Sequence, residues 1–293
     1  MSLQRPFRFG VNMFVPGSKD EWSAKCRRAE ELGFDVVGVA DHLGFPSPFP
    51  ALMLAAEATE RVRLTTFVLN TPFYNAALLA RDVASTDQFI DGRLELGLGA
   101  GYVKAEFDTA QMPFPSGGKR VEQLEQTVST LRGLFADAEY QPRPAQPDGP
   151  PLLIAGWGDR LLRLAATHAD IIAFPGGWAS ATGESLHLAS AEQLEERLAY
   201  VRGILGDRAD DVELNLLLQQ VIPPSEDSAT PDRFATVSPD APHEPEDLPS
   251  VVTGTPAEMA QQIKERSERY GFTYFTIMEY NMELFAPVIA ALR

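Results

Sequence analysis

Asp41 and His42 follow the apolar run VVGVA and form the adjacent acid and imidazole best placed to handle a proton. An imidazole gains and loses a proton near neutral pH, and a carboxylate beside it can hold its tautomer and charge. The plainer alternative is a turn in which Asp41 caps the next segment and His42 makes an ordinary hydrogen bond. Three small-residue clusters come next: Gly99-Ala100-Gly101, Gly156-Trp157-Gly158 and Gly176-Gly177. Small residues let backbone amides come close to a ring edge or a phosphate. Gly158-Asp159-Arg160 opens a helical stretch, so free amides and the positive helix end are expected there, with Arg160 and Arg163 near. The remaining histidines are weaker candidates: His168 falls at a helix end, His187 and His243 in irregular segments.

What is missing narrows the chemistry. No His-x-His motif follows the first strand-like run and the chain has 4 histidines, so a metal-dependent hydrolase is disfavoured and no metal is expected. The lysines (Lys19, Lys25, Lys104, Lys119 and Lys264) fall in expected helices or loops, which leaves no strand-borne amine for a Schiff base. Neither a Gly-x-Ser-x-Gly elbow nor a Walker loop is present. A protein without metal ligands, amine or nucleophile needs an organic cofactor for difficult chemistry.

These residues cluster at the ends of short apolar runs. Strands are expected near 8–13, 35–40, 62–69, 93–98, 152–155, 170–174, 212–221 and 272–278. Most are continuously apolar, as parallel strands covered on both faces are. Helical periodicity separates them. Residues 19–32 put Trp22, Cys26, Ala29 and Leu32 on one face; 119–136 does the same with Val121, Leu124, Val128, Leu131 and Phe135. Thr255-Pro256-Ala257-Glu258 starts a helix over 256–270 with a cap, a proline at N1 and an acidic first turn. Eight strands alternating with helices predict one (β/α)8 TIM barrel over residues 1–293, with the candidate groups on its C-terminal rim. A doubly wound sheet is the rival, but the G-x-G-x-x-G fingerprint is missing after the first strand. Residues 142–151 form a Pro-rich connection. Residues 222–250 are an acidic, Pro-rich insertion, either a solvated excursion or a lid.

The 293 residues are 44% hydrophobic, enough for a large core, and carry a formal charge of −16. Such a field disfavours nucleic acid and anionic membranes as partners. The lone cysteine, Cys26, forbids an internal disulfide and sits on an apolar stripe, as a structural thiol does. No membrane span and no signal peptide are expected, so the chain reads as a soluble, cytoplasmic protein.

The chain resembles the luciferase-like monooxygenase superfamily, and specifically its coenzyme F420-dependent branch. The resemblance rests on FRFGVNM, AEELGFDVVGVADH, the long block RVRLTTFVLNTPFYNAALLARDVASTDQFIDGRLELGLGAG, PLLIAGWGDRLLRLAATHADIIAF and VTGTPAEMAQQIKER with YGFTYFTI. It implies a bacterial-luciferase-type barrel with insertion segments, acting as an oxidoreductase with F420, or alternatively FMN, as cofactor. Asp41-His42 favours F420. By the same resemblance Asp41 contacts the deazaflavin and His42 acts beside its reacting carbon. A non-prolyl cis peptide at Phe67-Val68 backs the ring. Asn70, Ala100 and Gly101 contact the ring or ribityl chain, while Gly156, Trp157, Gly158, Gly176 and Gly177 hold the ribityl chain and phosphate.

One position departs from the pattern. Sugar-phosphate dehydrogenases of this branch carry a glutamate directly after the glycine matching Gly101; here Tyr102 stands there, and the nearest acid is Glu106. The expected rim is aromatic instead (Phe14, Phe45, Phe73, Tyr74, Tyr102, Phe174 and Trp178), which suits an apolar or aromatic small-molecule substrate. A separate enzyme reducing F420 or flavin, and a homodimer, complete the expected partners. The alternatives are an FMN-dependent monooxygenase and a non-catalytic F420 carrier or sensor.

Overall fold

The computed structural model describes residues 5–181, 183, 185–224 and 247–293. Most of the 222–250 insertion, with His243, lies outside them. In chain order the elements are β1 (Arg8–Met13), α1 (Lys19–Glu31), β2 (Val36–Val39), α2 (Pro48–Ala58), β3 (Arg63–Thr66), β4 (Leu69–Asn70), α3 (Ala76–Phe89) and β5 (Leu94–Gly99). There follow α4 (Lys104–Thr109), α5 (Gly117–Ala136), β6 (Leu152–Ala155), α6 (Asp159–His168), β7 (Ile171–Phe174), β8 (Gly177–Ala179) and β9 (Leu186–Leu188). The chain ends with α7 (Ala191–Leu205), β10 (Glu213–Leu218), β11 (Gln220–Ile222), β12 (Val251–Thr253), α8 (Pro256–Tyr270), β13 (Tyr274–Met278) and α9 (Met282–Leu292).

The main sheet runs β3-β2-β1-β13-β10-β7-β6-β5-β4, and β3 also pairs with β5, which closes the barrel with parallel pairing throughout. The expected (β/α)8 architecture is therefore present. Each strand has two buried faces. Phe9, Val11 and Met13 of β1 pack outward against the helices, within a cluster that includes Trp22, Cys26 and Ala29 of α1. Burial pushes the Cys26 thiol up to about 12, as suits a packing residue. Val36, Phe67, Leu153, Ile171, Ala173 and Tyr274 fill the interior.

Local sequence explains the helix starts. Ser18 with Glu21, Ser190 with Gln193, and Thr255 with Glu258 form capping boxes ahead of α1, α7 and α8. Gly271 closes α8 in the left-handed conformation at φ 80°.

Two expected strands are each divided. The 62–69 run breaks at a cis peptide between Phe67 and Val68, separating β3 from β4. The 212–221 run breaks at Gln219, whose N–H donates to Ser250 O at 2.7 Å, so β10 stays in the barrel while β11 leaves to pair with β12. Gly177–Ala179 and Leu186–Leu188 form an antiparallel hairpin, which puts His187 on a short strand rather than in an irregular segment.

Charged residues plug the floor of the barrel. The Arg8 guanidinium lies 4.7 Å from the Tyr274 ring centroid, bonds Glu95, and meets Glu213 at 2.6 Å. Arg63 reaches Glu95 from the other side at 2.7 Å. Burial raises the Glu213 carboxyl above its usual range, and Arg8 holds it back.

Candidate functional site

The opposite end of the barrel gathers the candidate groups. Asp41 and His42 follow β2 directly. The Asp41 Oδ2 accepts from the Asn70 N–H at 2.9 Å and from the Tyr74 hydroxyl at 3.0 Å. Burial raises the Asp41 carboxyl; those two bonds and His42 pull it down, and the charge of Glu106 pushes it up. Burial, and then the Asp41 charge, raise the Tyr74 phenol, which keeps it a hydrogen-bond donor.

The carboxylate in contact with His42 is not the expected one. Glu106, on α4, approaches His42 Nδ1 with Oε1 at 2.7 Å, while Asp41 is engaged by Asn70 and Tyr74. The carboxylate that meets His42 thus comes from a position 64 residues away. Sequence reading noted Glu106 only as the nearest acid after Tyr102. No local spacing could have joined it to His42, because the pairing depends on how the loop after β5 folds back.

Aromatic side chains surround the imidazole. Phe45 and Tyr102 stand edge-on to it at 5.5 and 5.7 Å, and Phe14 packs on Phe45 at 5.3 Å. Tyr280 joins Phe14 at 6.2 Å, a partner the sequence did not single out. Glu279 braces this wall: it accepts from the N–H groups of Phe14 and Val15 at 2.9 and 2.8 Å and is paired with Lys25.

The other expected rim residues make contacts away from the imidazole. Phe174 is fully buried against Phe272 at 5.7 Å, so it belongs to the core. Phe73 packs on buried Phe107 at 4.9 Å, and Tyr74 serves Asp41. Trp178 stacks between Trp157 and His187, at 5.9 and 5.6 Å. The two tryptophans line a cavity of about 340 Å³ together with Gln193, Glu196 and Arg197.

Phe67-Val68, the peptide that the resemblance marks as cis, is cis, and glycines make room for it. A Cβ on Gly97 would lie 1.8 Å from Thr66 O, and one on Gly99 2.7 Å from Val68 Cγ2. Gly97→Ala is therefore expected to cost about 1–3 kcal/mol of stability, through overpacking against backbone that cannot yield. Urea unfolding measures this, and a variant as stable as the parent would refute the close contact.

The glycine clusters divide into two kinds. At Gly101 (φ 68°) a Cβ would fall 2.2 Å from Asn70 Oδ1, a buried atom with no hydrogen-bond partner among the described residues. Gly158, the N-cap of α6, faces open space. By contrast, the Gly156 N–H is taken by Ala173 O at 3.1 Å, and a Cβ there would strike Leu161. Gly176 and Gly177 are pressed against Ser250 and the His187 backbone. Their need for glycine is thus internal packing. Arg160 and Arg163, expected beside the helix start, bond Gly118 O at 2.9 Å and the Tyr200 hydroxyl at 3.0 Å.

Comparison with known proteins follows the same lines. The family model described as luciferase-like monooxygenase matches residues 8–274. An F420-dependent glucose-6-phosphate dehydrogenase of Microbacterium testaceum is 27% identical over 251 residues, 76% of this chain and 71% of that protein. The protein of that name from Kribbella flavida is 33% identical over 144 residues, 46% of this chain. The match spans about half the length of several such relatives, 42% in Kribbella flavida and 50% in Intrasporangium calvum. Among solved structures, an F420-dependent secondary alcohol dehydrogenase bound to an F420–acetone adduct superposes with TM-score 0.75 at 19% identity, covering 99% of this chain and 100% of that one. The coenzyme F420-dependent tetrahydromethanopterin reductase of Methanopyrus kandleri gives 0.75 at 16% identity, with 99% and 100% covered. At those identities the likeness is one of fold.

Proposed function

This chain belongs to the luciferase-like monooxygenase family, and we propose that it is an F420-dependent oxidoreductase acting on an uncharged, apolar or aromatic small molecule. The observation that carries the reading is the rim assembly of Asp41, His42 and Asn70, with the buried Asn70 Oδ1 left without a donor among the described residues. F420 is also the cofactor named for the curated relatives and for two structures that share the fold.

The residues fit such a cofactor. The buried Asn70 Oδ1 beside Gly101 wants a donor, and none of the described residues supplies one. Asp41, Asn70 and Val68 would hold the ring, and the open helix start at Gly158 would receive a phosphate. When bound, F420 supplies a two-electron carrier that gives or takes a hydride.

The rest falls to the chain. Asn70 and Tyr74 fix the Asp41 carboxylate in one orientation. His42 exchanges a proton with the substrate. Phe14, Phe45 and Tyr102 flank the imidazole and offer the substrate an apolar wall.

A phosphorylated sugar suits this wall poorly. Lys25 is paired with Glu279, and Arg120 is tied to the carbonyls of Gly101 and Pro115. Tyr102 also stands where the resemblance implies a glutamate in the sugar-phosphate enzymes.

Titrating purified protein with F420 and with FMN, followed by fluorescence, tests the reading. F420 is expected to bind at micromolar concentration with FMN at least about tenfold weaker, a gap of about 1.4 kcal/mol. The reverse order would make the chain an FMN enzyme. Tight F420 binding without turnover over a broad panel of alcohols, ketones and enones would make it a carrier.

A further inference from the structure

We infer that Glu106 is the positioning residue of His42: its carboxylate accepts the Nδ1 proton and so makes Nε2 the nitrogen that exchanges a proton with the substrate. The inference deepens the reading of His42 as the proton-exchanging group and rests on it.

Three observations support it. The Nδ1–Oε1 separation is 2.7 Å, and the two side chains are only 28% and 11% exposed, so the pair is partly shielded from water. The other carboxylate near His42, that of Asp41, directs Oδ2 elsewhere, to the Asn70 N–H and the Tyr74 hydroxyl. Glu106 is also rigidly presented. The next residue, Phe107, is fully buried between Phe73 and Phe114, each at 4.9 Å. Just before α4, Arg120 Nε donates to Gly101 O at 2.9 Å.

An ionised carboxylate can only accept a hydrogen bond, so a neutral imidazole beside it must carry its single proton on Nδ1. The lone pair is then on Nε2. When Nε2 takes a proton from the substrate, the Glu106 charge offsets the imidazolium that forms. The rings of Phe45 and Tyr102, edge-on to the imidazole, restrict its other motions.

Nitrogen-15 NMR of the full chain without cofactor, at pH about 9, where an ordinary histidine is neutral, reads the tautomer directly. His42→Ala identifies the signals. Wild type is expected to show a protonated Nδ1 and a bare Nε2. Glu106→Ala is expected to move the population toward the Nε2-protonated form. Its turnover should fall about 10- to 100-fold, with F420 affinity unchanged. Glu106→Gln keeps an acceptor oxygen in place and is expected to recover the tautomer and part of the rate.

A wild-type His42 protonated on Nε2 overturns the inference, as does a Glu106→Ala protein that loses rate with the tautomer unchanged. If wild type fails to bind F420, the proposed function falls, while the tautomer result still judges Glu106.

Discussion

His42→Ala is expected to bind F420 as tightly as the wild-type protein and to lose between about a hundred- and ten-thousand-fold in turnover, the usual worth of a positioned acid or base. The separation of effects follows from the geometry. The groups assigned to the ring are Asp41, Asn70 and the Phe67-Val68 peptide, and none of them depends on the imidazole for its placement: Asp41 is held by Asn70 and Tyr74. Removing the imidazole leaves Phe45 and Tyr102 with a gap between them and leaves Glu106 without its partner, but Glu106 retains access to water. Steady-state rates beside a fluorescence titration separate the two effects. Unchanged turnover would remove His42 from the mechanism, and lost F420 binding would make it a ligand of the ring.

The second large effect lies at the other end of the barrel. Arg8→Met leaves Glu95 and Glu213 facing each other, with Arg63 on Glu95 and the charge of Arg5 near Glu213 compensating in part. Breaking a buried ion pair by removing one partner costs about 3–5 kcal/mol. The Arg8 side chain is still 23% exposed, so about 3 kcal/mol is expected.

The pH dependence has a definite sign. Burial already places the folded-state carboxyl of Glu213 above its unfolded value, and loss of Arg8 raises it further. A group raised in this way contributes stability at low pH that is lost as pH rises through its folded value. The deficit of Arg8→Met is therefore largest at neutral pH and narrows toward acid. Adding Glu213→Gln should recover part of it by removing one of the opposed charges. Urea unfolding at pH about 7 and about 5 checks both statements; a deficit that widened at the lower pH would refute the assignment.

Residue pattern carried the barrel well because parallel strands buried on both faces are written as continuous apolar runs. Arg8–Met13 and Leu152–Ala155 begin and end where such runs do. The helices starting at Lys19 and Pro256 announce themselves by capping boxes. What escaped depends on distant partners. Strands β8, β9, β11 and β12 have three residues each, too few to show a period, and exist through pairing. Helix α2, PFPALMLAAEA, lacks a polar face to mark its phase.

The site was legible to the same degree. Asp41 and His42 were visible because they adjoin each other at a strand end. Phe174 looked like a rim aromatic because it ends a strand, but its side chain turns outward onto Phe272. Glu106 was hidden by the 64 residues that separate it from the imidazole.

The floor formed by Arg8, Glu95, Glu213 and Tyr274 also governs traffic. A barrel filled with side chains and plugged at its floor offers a molecule only its rim, so on the proposed reading cofactor and small reactant would share that one face. Whichever lodges deeper has to arrive first and depart last. On the proposed reading, with Asp41 and Asn70 at the ring, that rank would belong to the carrier, and product-inhibition kinetics are expected to show compulsory order rather than random encounter.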